Sequence, residues 1–361
     1  MLLRHLSSTV AGRIEALPPE PPKGRSASYP VDKGLQPAPV PKPHRPGYKK
    51  VRGGYFGFAV PFQTHYRSVS LPTMKHLSSP IGVIGFGVMG ASMARNLAKA
   101  GHTVLGHSRT PDKVKALEPD GITVSTPEDI ASQCRVVLLS LIDGRSVEGV
   151  LFGPHGIAPR MAAGSLIIDT TTIAPDEAKQ LAQRCAGLGL RFVDAPVTGG
   201  DVGARNGTLA IMCGGSAEDF ERALPVLNCI GKKILHMGPS GAGQSMKAVN
   251  QVAIGLGIVA MTESLLLAEK LGLPVSAALE VLQGGSAGSW ALSNYAPRLL
   301  AGDLKPGFDA SHMLKDLKIA LKTASGMCPM PGTETTTELF ESLVSLRPGL
   351  GNHALIEAYK K

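Results

Sequence analysis

The sequence predicts an α/β fold in two parts. A doubly wound, mostly parallel sheet comes first, and a long helix joins it to an all-helical C-terminal domain. Three observations predict it. Short apolar runs alternate with helical patterns from Ile81 to His236. A glycine-rich turn, Gly85-Phe-Gly87-Val-Met-Gly90, follows the first of those runs directly. After Gly241 the strand-like runs stop, and the remainder reads as helix. The predicted domains are 80–241 and 242–361, preceded by an extension, 1–79.

The first 80 residues hold 13 of the chain's 28 prolines, 12 Lys and Arg, and only 3 Asp and Glu. Such a segment cannot bury enough apolar surface to offset its ordering entropy, so disorder is expected. No acid precedes Glu15, and the opening mixes Arg, Ser and apolar residues, which suits a mitochondrial transit peptide. Equally, Met74 could be the true start, because the folded pattern begins at Ile81. Localisation is therefore open between cytoplasm and mitochondrion. The rest of the 361-residue chain carries 25 basic and 25 acidic residues, so the net charge of +9 belongs to the extension. That leaves the body no electrostatic footing as a nucleic-acid binder; a basic tail gripping nucleic acid or a membrane is the lesser reading. Five scattered cysteines without a C-x-x-C pair suggest reduced thiols. No run reaches about 18 uninterrupted apolar residues. The nearest, 252–271, is broken by Glu263 and Glu269, and a soluble protein is expected.

From Ile81 the elements follow in order. Ile81-Gly-Val-Ile-Gly85 reads as a buried strand, 91–100 as a helix stopped by Gly101, and Thr103-Val-Leu-Gly-His107 as a second strand. A strand, G-x-G-x-x-G, helix and strand within about 30 residues form the context that a dinucleotide fingerprint requires. Gly85 allows the tight turn, Gly87 lets the backbone approach a pyrophosphate, and Gly90 lets helix and strand pack; Phe86, Val88 and Met89 complete the loop. An NAD site favours an acid at the end of the second strand, to bond the ribose 2′-OH. Here stand Ser108, Arg109 and Thr110, which suit a 2′-phosphate, so NADP(H) is preferred and NAD(H) remains open. Further strands are read at 135–140, 165–169, 191–194, 208–213 and 232–236, with a helix opened by Ala174-Pro175. Ligands of such a Rossmann-type sheet bind beyond the carboxyl ends of its strands. Those ends carry Ser140-Leu141, Thr171-Thr172 and Asp194-Ala-Pro-Val-Thr198-Gly199-Gly200.

Two glycines after Thr198 expose consecutive N–H groups, and with the hydroxyl they make a carboxylate site. The run through Gly203 and Gly207 is expected to keep this a glycine-rich loop. In Gly241-Ala-Gly-Gln-Ser-Met-Lys247-Ala-Val-Asn250-Gln251, helical spacing puts Lys247, Asn250 and Gln251 on one face, with Gly243 one turn before Lys247. A ligand is expected to approach the bare backbone at Gly243. The helix is apolar nearly all round and is expected to be buried, so its lysine needs a partner or a job. Helices are read at 243–271, 275–283 and 310–325, then shorter ones. Trp290, the only tryptophan, is open between core packing, the more frequent role, and lining the cofactor cleft.

These motifs, in this order and together with Phe308 through Lys315-Asp316-Leu317, resemble the β-hydroxyacid dehydrogenase family, which includes 3-hydroxyisobutyrate dehydrogenase and tartronate semialdehyde reductase. The resemblance spans roughly residues 80–361. It implies Lys247 as catalytic lysine and Thr198, Gly199 and Gly200 as the substrate-carboxylate loop. It implies Asn250 and Gln251 as substrate-orienting amides, and Thr172 and Lys315 beside the cofactor. Ser140-Leu141 stands where the family often has Leu-Pro. A small carboxylate substrate, a homodimer or homotetramer and no metal are further implications. The related 6-phosphogluconate dehydrogenase pattern has His-Asn-Gly after its lysine region, and Val249-Asn250-Gln251 does not match it. A non-catalytic NADP-binding interaction or chromatin module is the remaining rival; such members lack the lysine.

Overall fold

The computed structural model describes residues 79–360. The readings of 1–79 as a disordered extension, of a transit peptide and of Met74 as a start lie outside those residues, save for Ser79.

The chain winds β1 (Ile81–Ile84), α1 (Val88–Lys99), β2 (Val104–His107), α2 (Asp112–Lys115), β3 (Ile122–Val124), α3 (Pro127–Gln133) and β4 (Val136–Leu139). Then come α4 (Gly144–Phe152), β5 (Leu166–Asp169), α5 (Pro175–Gly187), β6 (Arg191–Asp194), β7 (Val197–Thr198) and α6 (Gly200–Asn206). β8 (Leu209–Gly214), α7 (Ala217–Ile230) and β9 (Gly231–Gly238) finish the sheet. Parallel strands run in the order β3-β2-β1-β4-β5-β6. β8 joins β6 antiparallel through Asp194 and Gly214, β7 lies antiparallel on β8, and β9 pairs parallel with β8. The strand order reverses between β1 and β4, which opens a crevice at their carboxyl ends.

Burial on both faces explains the near-continuous apolar strands. Ile81 and Val83 of β1 pack with Met93 and Leu97 of α1 and Val226 and Leu227 of α7. On the other face Val137 and Leu139 of β4 meet Ile130 of α3, Val147 and Leu151 of α4, and Leu181 of α5.

The long helix α8 (Ala242–Lys270) leaves the sheet and carries α9 (Val275–Gly284), α10 (Trp290–Asn294), α11 (Ala296–Leu300), α12 (Ala310–Ala324), α13 (Pro331–Leu346) and a 3-10 segment, Asn352–Tyr359. Its core joins Ile258, Met261 and Leu265 of α8 to Met313 and Leu317 of α12 and Phe340 and Leu343 of α13. The expected wholesale burial of α8 is corrected: Val249, Leu256 and Leu267 are exposed, so one apolar side of the helix is bare. By length and composition alone α8 is also long and apolar enough to cross a membrane. The expected glycine loop at 200–207 is α6, a helix from Gly200 to Asn206.

At the ends of β5 and β6, Asp169 and Asp194 stand in register and both are fully buried. Asp169 Oδ1 accepts the Thr171 N–H at 3.0 Å, and its Oδ2 has no hydrogen-bond partner among the described residues. Burial pushes its pKa up to about 7, against the Thr171 hydrogen bonds that lower it. An unfolded Asp titrates near ~3.9, so the native state binds the extra proton. Stability from this group is therefore full below about pH 4 and is lost as pH rises through about 7. Burial raises Asp194 to about 6 with the same sign, which leaves the window above that value to Asp169. Asp169→Asn should flatten the fall in Tm between about pH 6 and 8, read by calorimetry; parallel Tm curves would show that Asp169 does not titrate there.

Candidate active site

A cleft of about 1160 Å³ lies over the carboxyl ends of β1, β2, β4 and β5 and is closed on its far side by α8, α10 and α12. It is lined by Gly85, Phe86, Gly87, Val88 and Met89, by Ser108, Arg109 and Thr110, and by Ser140, Leu141 and Thr172. Thr198, Gly199, Gly200, Lys247, Asn250, Gln251 and Lys315 line it too. Gly90 and Gly243 do not: at Gly90 a Cβ would lie 1.9 Å from the Gly85 carbonyl oxygen, so its bare Cα seats α1 on the turn. Gly85 has φ 101°, and a Cβ on it would meet the Ser140 carbonyl oxygen at 2.2 Å, whereas Gly87 faces open space. The turn is thus shaped to present backbone to a phosphate.

At the end of β2, Ser108 Oγ accepts the Thr110 N–H at 3.2 Å. Arg109 is exposed, and neither it nor Lys113 is held by an ion pair among the described residues. Both line the cleft, so it holds two uncommitted cations together with Ser108.

On the opposite wall, Lys247 is 5% exposed and its Nζ donates to the Val197 carbonyl at 2.8 Å. Burial pushes its pKa down to about 8; Asp316 raises it and Lys315 lowers it further. Asp316 Oδ2 accepts from Gln251 Nε2 at 2.7 Å, and Asp316 Oδ1 forms an ion pair with Lys315 Nζ at 2.9 Å. Lys315 Nζ also donates to the Thr172 carbonyl at 2.5 Å. Gln251 therefore spends its donor on Asp316, and among the described residues its buried Oε1 has no hydrogen-bond partner, nor does Asn250 Oδ1. Asp316 lay within a quoted motif but carried no role in the sequence reading; a carboxylate one residue after Lys315 gives no spacing signal of its own.

Gly199 and Gly200 take φ values of 122° and 66°, left-handed backbone that a side chain would strain. They place the turn after Thr198 in the cleft wall. Trp290 is 47% exposed and lines the same cleft, with its ring edge-on to Tyr295 at 4.7 Å, so core packing is not its role. Tyr295 and Asn352 also line the cleft and went unnoticed in the sequence; Asn352 Nδ2 donates to Tyr295 Oη at 3.1 Å across 57 residues of chain. The expected ligand approach at Gly243 is corrected. A Cβ there would strike the Met212 carbonyl oxygen at 2.4 Å and Asp194 O at 2.7 Å, so the sheet itself fills that space.

Residues 80–238 match the family model described as the NAD binding domain of 6-phosphogluconate dehydrogenase. Residues 241–359 match the model described as NAD-binding of NADP-dependent 3-hydroxyisobutyrate dehydrogenase. An uncharacterized oxidoreductase of Synechocystis is 43% identical, covering 78% of this chain and 99% of that one. The 2-hydroxy-3-oxopropionate reductase of Escherichia coli is 36% identical over 77% of this chain and 96% of its own length. The 3-hydroxyisobutyrate dehydrogenase of Pseudomonas aeruginosa is 39% identical over 68% and 86%. Among solved structures, 3-hydroxyisobutyrate dehydrogenase of Mycobacterium tuberculosis superposes with a TM-score of 0.71 at 30% identity, covering 79% of this chain and all 100% of that one. These relatives are dehydrogenases, reductases or oxidoreductases, which sets aside the non-catalytic reading. By both halves of its folded body the chain belongs to the β-hydroxyacid dehydrogenase family, and it is an NAD(P)-dependent oxidoreductase.

Proposed function

We propose that the chain catalyses reversible hydride transfer between NADP(H), preferred over NAD(H), and a small β-hydroxy acid or semialdehyde acid, with Lys247 as general acid and base. The observation that carries this reading is Lys247: a nearly buried amine, brought to about 8, in one cleft with the glycine turn and the Thr198–Gly200 loop. When bound, the nicotinamide supplies the hydride chemistry. Gly85 to Met89 would hold the pyrophosphate, and Ser140, Leu141, Thr172 and Lys315 would flank the nicotinamide half. Thr198, with the N–H groups of Gly199 and Gly200, would bind the substrate carboxylate, and Asn250 would orient the hydroxyl-bearing carbon. Lys247 would take the hydroxyl proton on oxidation and return it on reduction. The reading gives a metal no part, since the proton transfer falls to Lys247.

A lysine near pH 8 sits close to the ideal for acid–base work at neutral pH. Oxidation needs the neutral amine, so its kcat should rise with pH through about 8, and kcat of reduction should fall over the same range. Steady-state assays with NADP+ against 3-hydroxyisobutyrate, and with NADPH against tartronate semialdehyde and succinic semialdehyde, test the class. Lys247→Ala should lower kcat by about 10²-fold or more with cofactor binding intact. Near-normal turnover in that variant would sink the assignment.

The NADP(H) preference rests on Ser108, Thr110 and the uncommitted Arg109 and Lys113. Arg109→Ala should raise KM for NADPH by about tenfold and leave KM for NADH unchanged, in keeping with the loss of one charged hydrogen bond. An equal effect on both cofactors would remove Arg109 from the 2′-phosphate site.

The bare side of α8, with Leu267 60% exposed, suits a second copy of the chain as its cover, giving a homodimer or homotetramer. Leu267→Glu should then convert the assembly to monomer in light scattering, whereas an unchanged mass would place the contact elsewhere.

A further inference from the structure

The 29-residue helix α8 begins without a side-chain cap of its own, because its N-cap residue is Gly241, at φ 88°. Its first N–H groups are met by a residue about fifty positions earlier. Asp194 Oδ1 accepts the Gly241 N–H at 2.8 Å and Oδ2 accepts the Gln244 N–H at 3.0 Å. One carboxylate thus satisfies two of the orphan donors at the positive end of the helix. Gln244, itself buried, ties the same turn to the loop after β5: its Nε2 donates to Thr171 O at 2.7 Å, and its Oε1 accepts the Ile173 N–H at 3.2 Å. No slack remains, since a Cβ on Gly214 would lie 2.5 Å from Asp194 Oδ1 and one on Gly243 would lie 2.8 Å from Oδ2.

The same two segments meet again one turn later. Lys247 Nζ bonds Val197 O, three residues past Asp194 on the strand that leads into Thr198. Helix and strand therefore lie side by side and are joined twice. Gln244 to Lys247 spans about 4.5 Å of helix axis, and Asp194 to Val197 about 10 Å of extended chain. Further along, α8 is held by Ile258, Met261 and Leu265 in its own core, so its helicity does not depend on the cap. What the cap and the Gln244 ties bear on is where the first two turns stand against the strand ends.

We infer that Asp194 and Gln244 are positioning residues of the reaction: by pinning the first turn of α8 to the sheet they set the place of Lys247 against the Thr198–Gly200 loop. This rests on the reading of Lys247 as the acid and base. A displacement of about 1 Å at a reacting group can cost about 10²-fold in rate. In the full chain, Asp194→Asn keeps the size and one acceptor but turns an N–H donor toward the helix end. It should lower kcat by about tenfold or more, leave the NADPH Kd from fluorescence titration within about twofold, and move the apparent pKa in the kcat profile away from that of the wild type. In a Lys247→Ala background the same substitution should have no further effect on kcat. Gln244→Met, which removes both ties to the Thr171–Ile173 loop, should behave alike and carries the test if Asp194→Asn does not fold. A folded variant with wild-type kcat and pH profile overturns the inference, as does a full loss that persists when Lys247 is already alanine. Wild-type turnover by Lys247→Ala itself would fell the Lys247 reading and this inference together, so the two failures are told apart by which variant keeps its activity.

Discussion

The seating of α8 on the carboxyl ends of β6 and β8 is the constraint on which the rest of the structure depends. A helix N-terminus carries unpaired donors and a partial positive charge, and burying it against a sheet is tolerable only if acceptors meet it. Asp194 meets it, and the sheet then comes so close that Gly214 and Gly243 have no room for a side chain. Everything C-terminal hangs from that joint. α12 and α13 pack on α8 through Leu317 and Phe340, and α8, α10 and α12 make the side of the cleft facing the glycine turn.

A buried lysine needs compensation, and the compensation here is graded. Burial disfavours the ammonium, Lys315 adds to that, and Asp316 opposes both. Asp316 is engaged elsewhere: Gln251 hydrogen-bonds one of its oxygens and Lys315 pairs with the other. A direct pair would favour the charged form and leave a poor base at neutral pH. The Val197 carbonyl gives Nζ a neutral acceptor, a bond available to ammonium and amine alike. The arrangement keeps the group buried and hydrogen-bonded while its proton stays exchangeable near pH 8.

What was legible in the sequence was what period and glycine spacing encode. The strand, G-x-G-x-x-G and helix sequence from Ile81 matched β1, the turn and α1, and the long apolar run after Gly241 matched α8 within a residue at each end. Short elements without a pattern of their own were missed. β3 has three residues and β7 two, and both take their conformation from neighbouring strands. Gly200 to Asn206 looked like a loop because its glycines signal turns, yet positive φ is confined to its ends, at Gly199, Gly200 and the C-cap Gly207, and the residues between are helical. The 16-residue α13 was underestimated, its Thr-rich start giving little helical propensity until packing of Phe340 and Leu343 overrode it.

Periodicity shows which residues share a face, and it is silent on what that face meets. Lys247 and Gly243 do share one, as spacing required, but the two positions face different neighbours. Lys247 looks into the cleft, while Gly243, one turn earlier, is pressed on the backbone of β6 and β8. The same limit applies to Asp194, whose acidic side chain read as one more polar strand end. Its partners lie 47 and 50 residues away, so only the register of Asp194 with Gly214 and the crossover into α8 bring cap and helix together. A residue that caps a helix from such a distance leaves no local pattern, because its requirement is met by the fold and not by its neighbours in the chain.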